Sequence, residues 1–459
     1  MLKKIRIISA VFFLFAVSLL FLSSAEVVHK FLGWTAKVQL VPAILAANFA
    51  VLAGLFLLTL FFGRIYCSAI CPLGIFQDGV SRVAGLVKKN RFSWRIPKKP
   101  LVILRFAILA IFVFALSANI TVITVLLEPY SIFGRMISQL SPPFYEFTIV
   151  FWVALLSFAV ITISAIISGR GYCNTICPVG TFLAVITKCS FIKSPIDEEK
   201  CNSCGICVKN CKAECIDTAG KKIDYLRCVS CCNCMGECPK GAIKLSWCNP
   251  FKGRANPAPT ENLTNDGISR RGFISATALL ALGLFARTKT APQNFTPLVP
   301  SGAGSLQNFS RRCTACQLCV SVCPEKILRP SSRISSFMQP HLAFERGWCR
   351  PECVKCSQVC PTGAINRQTI EEKSRTQTGI AVLNSELCLA RCNVCARRCP
   401  NGAITMVQKS EDNPRRTIPK IDPARCVGCG ACEHYCPSRP QSAITVLAFE
   451  THTTKESKQ

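Results

Sequence analysis

Six runs of four cysteines are the residues of this chain whose type and spacing can do chemistry. Cys201-Cys204-Cys207-Cys211 and Cys228-Cys231-Cys234-Cys238 share the pattern Cys-x-x-Cys-x-x-Cys-x-x-x-Cys. Four further runs follow: Cys313-Cys316-Cys319-Cys323, Cys349-Cys353-Cys356-Cys360, Cys388-Cys392-Cys395-Cys399 and Cys426-Cys429-Cys432-Cys436. A cubane [4Fe-4S] cluster needs four thiolates. Three closely spaced cysteines wrap one face, and in two-cluster ferredoxins the fourth comes from the other run. Cys201, Cys204 and Cys207 are therefore expected to take Cys238, and Cys228, Cys231 and Cys234 to take Cys211. Zinc sites usually combine two separated cysteine pairs, and disulfide frameworks belong to short secreted domains. The spacing thus predicts six [4Fe-4S] clusters with these cysteines as ligands. Cys211 is followed by Lys212 where Cys238 and the last cysteine of every later run precede a proline. Among the last four runs the outer two open with x2 spacing and the inner two with x3. If like pairs with like, the first run shares clusters with the fourth and the second with the third; sequential pairing is the alternative, with the same ligands. Cys189, Cys215, Cys232 and Cys248 are left over and expected to be structural, with Cys232 a competitor for register.

Four more cysteines sit in a repeat, GRIYCSAICPLG against GRGYCNTICPVG. Cys67 and Cys71, like Cys173 and Cys177, are four apart, a spacing that puts both thiols on one face of a helix. The proline after each pair is expected to stop or kink that helix. Repetition at equivalent positions makes the four candidate redox thiols or metal ligands. One shared site, two disulfides or free thiols all remain open.

These cysteines must be held by a largely apolar chain. Of 459 residues, 50% are hydrophobic and only 17% charged, the balance of a membrane protein. Apolar stretches over residues 7–23, 41–62, 101–118 and 145–168 predict four transmembrane helices, the N-terminus inside. Lys88, Lys89, Arg91, Arg95, Lys98 and Lys99 crowd the loop after the second, whereas the loop after the third holds Arg135 alone, so the former is expected to be cytoplasmic. The formal charge of +29 does not indicate nucleic acid. It omits the cysteine thiolates, each cubane with its four ligands carries about −2, and the basic residues flank apolar spans.

Three domains and their connections follow. Residues 1–190 form the four-helix membrane domain with its two Cys-x-x-x-Cys-Pro ends, and 191–248 a cytoplasmic two-cluster ferredoxin domain. Residues 249–268, rich in Pro, Asn and Thr, read as a linker. Within 269–287, Arg270 and Arg271 precede an apolar run too short for an ordinary span but suited to a twin-arginine signal, here an uncleaved anchor and fifth helix. That pathway exports folded proteins, as a domain loaded with clusters in the cytoplasm requires. A second linker, 288–310, leads to a four-cluster domain over 311–448 and a tail at 449–459. Residues 300–448 should fold alone as a soluble iron–sulfur protein. The fold class is thus an α-helical membrane domain carrying two α+β modules of the bacterial dicluster-ferredoxin kind.

Residues 1–248 resemble the membrane polyferredoxins of the NapH/MauN type, with four spans, two Cys-x-x-x-Cys-Pro ends and a two-cluster domain. Residues 269–447 resemble the NapG-type exported four-cluster ferredoxins with a twin-arginine signal. The chain looks like a fusion of the two. The resemblance implies an electron-transfer component of the bacterial inner membrane, a quinol dehydrogenase module that passes electrons from the quinone pool to a periplasmic or membrane redox partner. An accessory role in maturing a respiratory metalloenzyme and a membrane redox sensor are the alternatives. No general acid, nucleophile or nucleotide loop stands out, so no catalytic residue is assigned. His29, His341, His434 and His452 all lie outside the predicted spans, which leaves no axial histidine pair for a transmembrane haem. Glu128 is a candidate proton acceptor for quinol, or an ordinary interfacial carboxylate. Tyr130 and Phe133 beside it suit an interfacial belt equally well.

Overall fold

A computed structural model describes residues 2–23, 25–87, 92, 99–118, 120–140, 149–248, 296–408 and 416–454. The expected linker 249–268 and anchor 269–287 with Arg270 and Arg271, together with most of the basic loop at 88–98, lie outside the described residues. The chain divides into two compact units, Met1–Leu19 with Trp34–Thr288 and Leu20–Gly33 with Lys289–Gln459.

The first unit is built on apolar helices. Among the described residues three are long and apolar enough to cross a membrane: Leu2–Leu22, Pro100–Ala118 and Val150–Ser168. Each buries one narrow face. In the last, Val150, Ala154, Ile161 and Ala165 are buried while Trp152, Leu155, Leu156, Phe158 and Ile163 are exposed. Small residues on the packed face let helices approach closely, and the large apolar side chains on the other face suit lipid. The stretch expected as the second span is not one helix. It breaks into Leu40–Leu45 and Phe49–Phe62. Ala47 takes a left-handed φ of 52°, and the Asn48 side chain accepts a hydrogen bond from the Val51 N–H at 3.3 Å. An asparagine cap satisfies a donor at a helix start, so this residue begins a new helix rather than continuing the old one.

The two Cys-Pro ends also differ from expectation. Each proline opens a helix, Pro72–Val87 and Pro178–Thr187. A proline in the first turn loses no hydrogen bond, because the N–H there has no intrahelical partner. Short helices Ile65–Ala69 and Gly171–Thr175 end between the paired cysteines. Ile70 and Cys71 both donate their N–H groups to Tyr66 O at 3.0 Å, so the chain turns between the two thiols rather than carrying them on one helical face.

A small α+β module follows in the same unit. Ile192–Lys193 pairs antiparallel with Ser246–Trp247, and Ile216–Asp217 with Lys222–Ile223. The one-turn helices Ile206–Lys209 and Asn233–Glu237 each begin after a residue in the left-handed region, Gly205 at φ 74° and Cys232 at φ 58°. Cys232 thus occupies the turn position that glycine fills in the companion run. The module docks on the helices through charged groups. Asp78 accepts from Arg170 Nε and Nη2 at 2.6 Å each and from Lys212 Nζ, with Arg6 Nη1 at 3.6 Å.

Among the described residues the second unit holds three antiparallel pairs: Leu328–Pro330 with Pro340–Leu342, Thr376–Leu383 with Ile444–Thr454, and Ile404–Gln408 with Thr417–Ile421. The strand Ile444–Thr454 runs past residue 448. Its end is held by a bridge from Thr451 to Ser305 and by His452 N–H donating to Gly304 O at 2.8 Å. Residues 449–454 therefore belong to the folded domain and not to a tail.

Candidate iron–sulfur sites

The cysteine runs with x2 spacing need a tight reversal between their second and third cysteines. The residue there is left-handed in all four: Gly205, Cys232, Gln317 and Gly430. The x3 runs have one more residue before the turn, and Val354 and Asn393 keep ordinary negative φ. Both geometries aim three sulfurs at one point.

The fourth sulfur comes from another run in every case. Cys201, Cys204, Cys207 and Cys238 line one hollow with Pro239, Ile196 and Ile243. Cys211, Cys228, Cys231 and Cys234 interact with one another at a second site. In the second unit Cys313, Cys316 and Cys319 meet Cys360. Cys349, Cys353 and Cys356 line a hollow with Cys323. Cys388, Cys392 and Cys395 line one with Cys436, and Cys426, Cys429 and Cys432 one with Cys399. The pairing among the last four runs is therefore sequential, and the nested pairing is corrected. The physical reason is local. The strand pair at 328–342 joins the first of these runs to the second, and the pair at 404–421 joins the third to the fourth, so each hairpin returns the chain to its starting point. Every half then combines one x2 run with one x3 run, unlike with unlike.

Four cysteines at each site, three from one run and the fourth from its neighbour, are the donor set that a cubane takes. Backbone N–H groups donate to the sulfurs, Ala242 to Cys238 and Ala403 to Cys399 at 3.3 Å and Ile365 to Cys360 at 3.4 Å. Such N–H···S bonds favour the reduced, more negative form of a bound cluster. Within the second unit the Cys349 N–H donates to Cys429 O at 2.9 Å. The sites lined by these two cysteines are neighbours.

Two features were not legible from spacing. Cys215, expected to be structural, lies at the second site, its Sγ 3.5 Å from Cys211 Sγ. Cys67, Cys71, Cys173 and Cys177 are all buried and converge from the two repeats, with Arg64, Arg170 and Gln77 around them. The signal for the arginines was present, since Arg64 and Arg170 open the two copies of the repeated motif. Glu128 is placed otherwise than a quinol base requires. It caps the helix Pro129–Ser138, accepting from Tyr130 N–H at 3.0 Å and from Ser131 N–H. Tyr130 and Phe133 are buried rather than belt residues.

Comparison with known proteins bears on the same segments. A family model described as "4Fe-4S binding domain" matches residues 45–92 and 150–195. One described as "4Fe-4S dicluster domain" matches residues 387–439, which span the third and fourth of the last runs. The methylamine utilization ferredoxin-type protein MauM of Methylobacillus flagellatus is 33% identical over 194 residues, 40% of this chain and 79% of the relative. MauM of Methylorubrum extorquens is 34% identical over 206 residues, 42% of this chain and 91% of the relative. The ferredoxin-type protein NapG of Escherichia coli is 33% identical over 195 residues, 40% of this chain and 82% of the relative. No solved structure matches the chain. With its cysteines grouped for [4Fe-4S] clusters and its relatives matched over most of their length, the chain belongs to the MauM/NapG family of ferredoxin-type iron–sulfur electron-transfer proteins.

Proposed function

We propose that the chain is a multi-pass membrane protein that holds six [4Fe-4S] clusters and connects the quinone pool with a respiratory redox partner. The observation that carries this reading is the grouping of the 24 cysteines into six sets, each with three sulfurs from one run and the fourth from its neighbour. Bound clusters supply one-electron chemistry. The chain supplies the spacing, the burial and the N–H donors that set potentials. The adjacency of Cys349 and Cys429 favours a continuous path along the second unit over isolated structural sites. The first two-cluster domain is assigned to the cytoplasm, and the last four clusters to an exported domain behind Arg270 and Arg271.

A cavity supports the quinone link. It has a volume of about 270 Å³, and Ile5, Phe13, Leu58, Phe62, Tyr225 and Cys228 are among the residues lining it. Arg6, Lys193 and several serines also line it, but most of its wall is apolar, as a lipid-soluble ring requires, and Cys228 puts one ligand set at its wall. Filling it with Leu58→Trp should slow reduction of the full chain by a quinol analogue in proteoliposomes by about tenfold, equivalent to ~1.4 kcal/mol. Iron content should be unchanged. An unaltered rate would remove this cavity from the account, and no quinol-driven reduction of the parent chain would remove the quinone link.

A further inference from the structure

The site built from Cys211, Cys228, Cys231 and Cys234 has a fifth thiol. Cys215 is buried, its Sγ lies 3.5 Å from Cys211 Sγ, and its side chain also meets that of Cys228. Two other sites hold alanine at the corresponding position. Cys215, Ala242 and Ala403 each stand four residues after the last cysteine of their run. Each follows a residue in the left-handed region, Glu214 at φ 49°, Gly241 at φ 60° and Gly402 at φ 57°. Their carbonyls accept from the N–H groups of Asp224, Asp197 and Asp422 at 2.8, 2.8 and 2.7 Å. The carbonyls of those aspartates accept in turn from the first cysteine of the neighbouring run, Cys228, Cys201 and Cys426, at 3.0, 3.1 and 3.0 Å. Ala242 and Ala403 offer their N–H groups to Cys238 and Cys399 at 3.3 Å, and the Cys215 backbone does the same for Cys211.

The three positions thus share one backbone frame, and Cys215 adds a sulfur to it. A buried thiol can be a small apolar filler, as alanine is. This sulfur does not stop at filling the core, because it lies against two members of the ligand set. The two thiols are also anchored differently. Lys212 follows Cys211 where Pro239 and Pro400 follow the counterparts. The Lys212 ammonium donates to Asp78 of the helix Pro72–Val87, and its carbonyl accepts from the Arg170 N–H at 3.0 Å. Cys211 is therefore tied to the membrane helices, whereas Cys215 is tied through Asp224 to the ferredoxin module.

We propose that Cys211 and Cys215 are alternative fourth ligands for the cluster held by Cys228, Cys231 and Cys234, an inference that rests on the reading of this set as a [4Fe-4S] site. With Cys211 bound, the Cys215 thiol donates a hydrogen bond to the Cys211 sulfur, and such bonds help to set a cluster's potential. Exchange breaks the iron bond to the Cys211 sulfur and makes one to the Cys215 sulfur. The proton of the Cys215 thiol passes to Cys211 across the contact between them, so charge and electron count are unchanged and no co-reactant is needed. A shift of the membrane helices bears on Cys211 through Lys212, while Cys215 stays with the module and keeps the ligand set complete.

The test is native mass spectrometry of the full chain, purified anaerobically in detergent, with iron and acid-labile sulfide measured on the same samples. Cys211→Ala should keep every cluster of the parent chain. Cys238→Ala, whose site has Ala242 where Cys215 would stand, should lose one cluster or one iron. The double variant Cys211→Ala with Cys215→Ala should do the same. A parent chain without clusters would remove the reading on which the inference rests. With clusters in the parent, a loss from Cys211→Ala equal to that of the double variant would overturn the alternative ligand alone, and so would a double variant that keeps them all. Cys215→Ala tests the contact without touching Cys211, and so decides the matter even where Cys211→Ala fails to fold. It should keep the full cluster count and shift one reduction midpoint to lower potential, because the Cys211 sulfur loses a donor; midpoints that all stay in place would overturn the inference.

Discussion

Asp78→Asn should destabilise the first unit by about 3–5 kcal/mol, read as an earlier unfolding transition in detergent. The carboxylate faces Arg170, Lys212 and Arg6 at once. The Arg170 side chain is fully buried, so the variant leaves a guanidinium charge in the interior without its counter-ion. Such a loss exceeds the worth of an exposed ion pair several times over. The same contact makes stability depend on pH. Burial alone would raise the Asp78 carboxyl, but Arg170 and Lys212 outweigh it and hold the group below its ordinary value of 3.8. A carboxylate depressed in the folded state stabilises above its unfolded pKa, and the contribution disappears as pH falls through the folded value. The gap between parent and variant should therefore be constant above about pH 5 and close below the unfolded value of about 3.9. A gap that widened in acid would show that Asp78 is not the counter-ion.

The second large effect concerns cluster pairing. A fragment of residues 376–454 contains the strand pair Thr376–Leu383 with Ile444–Thr454 and both hollows lined by the last two runs. It should take up two clusters on anaerobic reconstitution. Nested pairing would leave each of its sites one sulfur short, the missing ligands being Cys323 and Cys360. In the full chain, Cys399→Ser should remove or convert the cluster at Cys426, Cys429 and Cys432, although Cys399 belongs to the preceding run. Metal binding and folding are coupled in such small domains, so that fragment carrying Cys399→Ser should also lose helical and strand signal in circular dichroism. Two intact clusters in the Cys399→Ser fragment would contradict the pairing.

What the sequence discloses depends on how local the determinant is. Cysteine spacing fixes which three sulfurs share a face, because the turn between them is only a few residues long. The four left-handed turn residues, Gly205, Cys232, Gln317 and Gly430, follow from the same spacing. The identity of the fourth sulfur is a tertiary matter. Similarity of spacing pointed to nested pairing, whereas the hairpins at 328–342 and 404–421 decide it by bringing adjacent runs together. The second span misled for a related reason. Hydropathy over 41–62 is continuous, and only the Asn48 cap and the φ of Ala47 reveal the break. The convergence of Cys67, Cys71, Cys173 and Cys177 rests on Arg64 and Arg170, which cross between repeats 106 positions apart in the chain. Neither the crossing nor the Asp78 network has a signature in a linear window.

The central claim is that the cysteine sets hold cubane clusters able to carry electrons. The most direct measurement is iron and acid-labile sulfide in the anaerobically purified full chain, followed by electron paramagnetic resonance through a reductive titration. The account predicts iron and sulfide in equal amounts, enough for at least six cubanes, and reduced [4Fe-4S] signals that appear over several midpoints. Zinc in place of iron, or cysteines recovered as disulfides without sulfide, would contradict it.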